Sequence, residues 1–146
     1  RRFPRASRWC CTWSGWGSHV ILVTATPGSW FFEGLGGILP DPAKPGFKHF
    51  LLRPGIVKSV EWVKCSYQSP CGKIVSNWKS EKDSFQWQIH VPANSTATVY
   101  LPATNANTIK EGNQPLSQAK GVKLLRMENR KALLNLDSGR YSFVSE

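Results

Sequence analysis

Between Phe85 and Val91 every second residue is apolar: Phe85, Trp87, Ile89 and Val91 alternate with Gln86, Gln88 and His90. A period of two puts the two sets on opposite faces of an extended strand, whereas on a helix the same residues would scatter around the axis. The pattern returns at Thr96–Leu101, with Ala97, Val99 and Leu101 opposite Thr96, Thr98 and Tyr100. Upstream, Val60 and Trp62 alternate with Glu61, and Ile74 and Trp78 share a face across Ser76. Further short strands are expected over Val122–Met127, Ala132–Leu136 and Tyr141–Val144. Turns are expected at Tyr67–Gly72, Glu81–Ser84, Pro92–Ser95, Glu128–Arg130 and Asp137–Gly139. Seven or eight strands at roughly 8–12-residue spacing, with no long helical pattern between them, predict an all-β fold: an antiparallel β-sandwich behind a short helical or irregular N-terminal arm.

Composition divides the chain unevenly. Residues 1–27 hold Arg1, Arg2, Arg5 and Arg8, no acid, three tryptophans and Cys10–Cys11. Their only strand-like text is Val20–Thr24, so they are read as an unassigned arm. Residues 28–39 read as a short apolar helix broken by Gly34, Gly36 and Gly37, and Pro40, Pro42 and Pro45 then force an extended or turning loop. The sandwich itself is expected over 47–146. A chain of 146 residues suits one core rather than a large multidomain enzyme.

The formal charge of +10 raises the question of nucleic acid. The basic residues after the arm are dispersed singly, without a helix-turn-helix, zinc-finger or stacking-aromatic motif, so they read as a solvated surface and no specific nucleic-acid partner is expected. The longest aliphatic run, Val20–Val23, is far short of the roughly 20 residues a spanning helix needs, and the N-terminal arginines precede no apolar segment of signal-peptide type; no membrane partner is expected. Cys65 and Cys71 flank a turn and either bridge on oxidation or remain thiols, which leaves the compartment open. Neither they nor the adjacent Cys10–Cys11 have the spacing of a zinc site; no metal and no cofactor is expected.

Four segments, ILPDPAKPGFKHFLLRP, SYQSPCGKIVSNWK, VPANSTATVYLP and GVKLLRMENRKALLNLDSGRYSF, follow one another in this chain. In kind and order they resemble the extreme C-terminal end of bacterial α-L-rhamnosidases of glycoside hydrolase family 78, from about Gly28 to Ser142. The resemblance implies that residues 28–46 are the end of an (α/α)6 catalytic barrel with its exit loop, and that 47–146 are the C-terminal β-sandwich. Departures are equally clear. The barrel and its general acid have no counterpart in this sequence, Ser29 stands where the family has an acid, and HVILVTATP replaces an Asn-His-Tyr helix. Cys71 takes the aromatic position of a Ser-Pro-Tyr-Gly-Lys motif.

Inverting glycoside hydrolysis needs two carboxyl groups roughly 6.5–9.5 Å apart. Of the acids here, only Glu33 and Asp41 lie in the barrel-like segment, and they are the candidate catalytic pair. The resemblance makes His49, in Lys48-His49-Phe50, a sugar-contacting residue, with Lys48 and Trp30 beside it as substrate-binding candidates. A histidine that pins the proline loop is the structural alternative for His49. Trp62, Trp78 and Trp87 are either core or a sugar-stacking platform. Three functions follow as expectations: an accessory sandwich that supports a catalytic barrel, a small stand-alone glycoside hydrolase using Glu33, Asp41 and His49, or a carbohydrate-binding module. The partner is a rhamnoside or other glycoside. The exposed barrel-end surface, with Trp30 and Phe31, is the place for a homo-oligomer contact.

Overall fold

A computed structural model describes residues 9–13, 31–57 and 59–145. Among them the chain forms β1 (Trp9–Trp13), β2 (Ile38–Pro40), β3 (His49–Leu52), β4 (Trp62–Ser69), β5 (Gly72–Ser80) and β6 (Phe85–Val91). It continues with β7 (Thr96–Pro102), β8 (Lys110–Glu111), β9 (Gln114–Pro115), β10 (Val122–Glu128), β11 (Lys131–Leu136) and β12 (Gly139–Ser145). Two sheets result, in the orders β1-β4-β5-β6-β12-β8-β9 and β10-β11-β7-β3-β2. The expected sandwich is present, with more strands than the sequence pattern marked. The additional ones are mostly two to five residues long, too short for a period of two to show.

The inward phases supply the core. Phe85, Trp87, Ile89 and Val91 are buried from the first sheet, and Ala97, Val99 and Leu101 from the second. Phe50, Leu52, Leu134, Leu136 and Phe143 close the layer between them. Trp78 and Trp87 are therefore core. Trp62 is not: Val63 takes the inward phase of β4 and turns Trp62 to the outer face. The expected turn over Tyr67–Gly72 is tighter than the sequence suggested, because Tyr67–Ser69 remain paired with Gly72–Ile74. This register also settles the geometry of the cysteines. Cys65 lies opposite Ser76, roughly 13 Å of strand away from the Cys71 turn, so the two are too far apart to bridge.

One pairing departs from the antiparallel rule. β3 runs parallel to β7, setting His49 beside Thr96 and Leu51 beside Thr98. The helix expected over 28–39 is reduced, among the described residues, to one π-helical turn over Phe31–Gly36. Gly37 adopts a left-handed backbone (φ 68) that ends the turn, and Ile38 enters β2 opposite Leu52. A side chain at Gly37 would run into the backbone of Arg53 and Pro54. The turn is fastened from two sides. Arg53 N–H donates to Gly37 O at 2.8 Å and Gly55 N–H to Gly34 O at 2.6 Å. From the larger sheet, Trp78 Nε1–H donates to Leu35 O and Ser76 Oγ–H to Gly36 O, each at 2.8 Å, while Ser76 Oγ accepts Trp87 Nε1–H at 3.1 Å.

In the arm, β1 pairs antiparallel with β4, Cys11 opposite Cys65, where the sequence pattern had indicated no strand. The expected run at Val20–Thr24 and Trp30 lie outside the described residues.

Candidate functional site

His49 opens β3 on its outward phase, so its ring lies over the outer face of the smaller sheet. The parallel neighbour presents Thr96 and Thr98 on the same face, two residues apart and hence on one side of the strand. Both ring nitrogens are engaged: Nδ1 with Thr96 Oγ1 at 2.7 Å and Nε2 with Thr98 Oγ1 at 3.1 Å. A neutral imidazole offers one donor and one acceptor, and two hydroxyls can answer both.

Asp41 approaches from the proline loop, its Oδ2 3.9 Å from His49 Nε2. The loop holds this carboxylate through its own backbone: Oδ1 accepts Ala43 N–H at 2.9 Å, and Asp41 O accepts Lys44 N–H at 3.1 Å. Burial pushes the His49 pKa below its ordinary value; Asp41 opposes this shift and Lys44 adds to it. The cluster is thus a half-buried, neutral imidazole clamped between two hydroxyls with a carboxylate at its edge.

The other candidates are dispersed. Glu33 is exposed on the helical turn, and among the described residues no hydrogen bond or ion pair joins it to Asp41 or His49. Lys48 is exposed and takes part through its backbone, whose carbonyl accepts Thr96 N–H at 3.0 Å. The structure therefore brings together Asp41 and His49 of the expected set and adds Thr96 and Thr98. The alternation over Thr96–Leu101 marked both threonines as outward; only the parallel pairing shows what they face.

Residues 37–115 match the family model described as the bacterial alpha-L-rhamnosidase C-terminal domain. The chain belongs to this family. Its relatives include an alpha-L-rhamnosidase of Formosa agariphila, 28% identical over 119 residues, which cover 82% of this chain but 13% of that protein. Another, from Alteromonas sp., is 28% identical over 133 residues, covering 77% of this chain and 14% of the relative. Among solved structures, the alpha-L-rhamnosidase of Dictyoglumus thermophilum superposes with a TM-score of 0.67 at 27% identity, over 81% of this chain and 13% of that one. The Streptomyces avermitilis enzyme, crystallised with L-rhamnose, gives a TM-score of 0.69 at 23% identity over 82% of this chain and 11% of its own, a likeness of fold. The C-terminal domain thus spans about one-seventh or less of these relatives' lengths.

Proposed function

We propose that this rhamnosidase C-terminal domain is an accessory, non-catalytic sandwich that supports a glycoside hydrolase barrel and offers His49 to the sugar pocket. The observation that carries the reading is the coverage: about four-fifths of this chain corresponds to only 11–14% of proteins named alpha-L-rhamnosidases, and the matching family is their C-terminal domain. Site chemistry supports it. An inverting hydrolase needs two carboxyl groups facing one sugar, whereas Asp41 is tied into its own turn and Glu33 stands exposed on another element. Because Thr96 and Thr98 occupy both ring nitrogens of His49, a sugar hydroxyl reaches the imidazole by displacing Thr98 Oγ1, the longer of the two contacts at 3.1 Å, with the exposed Lys48 next to it in the chain.

A panel of nitrophenyl glycosides, α-L-rhamnoside included, tests the assignment on the purified chain. No release above buffer is expected. Turnover that disappears on Asp41→Ala or Glu33→Ala would replace the accessory role with hydrolysis by the chain itself.

A further inference from the structure

The larger sheet has an outer face of its own, remote from His49, which lies on the other sheet. Register arranges this face as a grid. Lys64, Asn77, Gln88 and Ser142 form one row across β4, β5, β6 and β12, and Trp62, Lys79 and Gln86 form the next. These rows line two adjoining depressions that share Asn77, Gln88 and Ser142, one ending at Trp62 and the other at His90 and Arg140. At strand spacing, the groove is about 14 Å across the four strands.

Its chemistry is specific. In the centre stand three side-chain amides. Asn77 Oδ1 accepts Cys65 N–H at 3.2 Å, which fixes that side chain and leaves its NH2 as the group that can donate to a ligand. Gln86 and Gln88 are exposed, and among the described residues their amides have no hydrogen-bond partner. At one end Trp62 is half-buried on the outward phase, the indole arrangement that packs against the C–H face of a pyranose. Around the rim lie Lys64, Lys73 and Arg140, against Glu111 as the one carboxylate among the described lining residues, while Lys79 is already paired with Glu81 at 2.5 Å. Amides that both donate and accept match vicinal hydroxyls, and the cationic rim matches carboxylate or sulfate groups. A single-stranded nucleic acid would ask for several successive stacking aromatics, and Trp62 is the only aromatic side chain on the groove's outward phase among the described residues.

We propose that this groove binds an acidic oligosaccharide, stacking one sugar on Trp62, bonding hydroxyls through Asn77, Gln86 and Gln88, and pairing its acidic groups with the rim cations. Lys64 Nζ lies 5.7 Å from the centroid of the Trp62 ring, so the sugar displaces an exposed ammonium whose contact with the indole is weak.

Calorimetric titration of the whole chain with an oligogalacturonate, beside a cello-oligosaccharide of equal length, tests this. The acidic ligand should bind at least about tenfold more tightly than the neutral one. Trp62→Ala and Gln88→Ala should each weaken it about tenfold without lowering the melting temperature, while Trp62→Tyr should keep most of the affinity. Three results overturn the proposal: no binding of the oligogalacturonate, affinity indifferent to Trp62→Ala, or equally tight binding of single-stranded DNA, which would make the face a general polyanion surface. None of these bears on glycoside release, which reads the other sheet and the proline loop.

Discussion

Ser76→Ala removes one oxygen from the centre of the sandwich, and the structure gives that oxygen two duties. It accepts Trp87 Nε1–H at 3.1 Å and donates to Gly36 O at 2.8 Å, with Ser76 and Trp87 both at 0% exposure. Without it, an indole N–H and a carbonyl are stranded where water does not reach. Each such group costs about 1–3 kcal/mol, so the substitution should destabilise the domain by about 2–6 kcal/mol, far above the usual effect of deleting a surface hydroxyl. In urea the midpoint should fall by about 1 M or more at an unchanged slope. On heating, about 3 kcal/mol corresponds to a fall of roughly 6–12 °C for a domain of this size. A second measurement isolates the cause. Trp87→Phe removes the stranded donor, so the double variant should be less destabilised than the sum of the two singles by about 1–2 kcal/mol. A Ser76→Ala cost below about 0.5 kcal/mol, or additivity of the pair within about 0.5 kcal/mol, would refute the claim that this hydroxyl fastens the helical turn to the sheet.

The remaining expectations concern the proline loop and its surroundings. Because burial lowers the His49 pKa, the unfolded chain takes up its proton first, near pH 6.5. The stability this group contributes is therefore complete above that pH and is lost as pH falls through the lower folded value; His49→Gln should flatten this part of a melting-temperature profile, and an unchanged profile would contradict the assignment. Asp41 raises the same pKa, so Asp41→Asn should move the His49 titration further down in a proton NMR experiment; an upward move would show that the 3.9 Å contact is not felt. Gly37→Ala combines a left-handed backbone (φ 68) with a collision against Arg53 and Pro54 and should cost more than about 3 kcal/mol. Near-ultraviolet circular dichroism and a thermal melt within about 1 kcal/mol of the parent would count against that geometry.

What the sequence determined by itself is the local alternation and its consequences. The period of two at Phe85–Val91 and Thr96–Leu101 decided strand, face and burial together, because successive side chains on an extended backbone must point to opposite sides. Trp62 shows the limit: with Val60 and Val63 flanking it, a shift of one residue decides between core and surface, and only the pairing of β4 with β5 fixes that phase. The helical turn failed in the same way, since Gly37 and the bonds from Ser76, Trp78 and Arg53 come from residues sixteen to forty-three positions away or from one backbone angle. At the candidate site the sequence picked out Asp41 and His49 as residue types worth attention. Their meeting, and the clamp by Thr96 and Thr98, depend on a parallel pairing between strands 47 residues apart. The groove beside Trp62 is likewise assembled from four strands. Periodicity is written in neighbouring residues and can be read from them; which strands become neighbours is settled by burying all of their apolar faces at once, and that is a property of the whole chain.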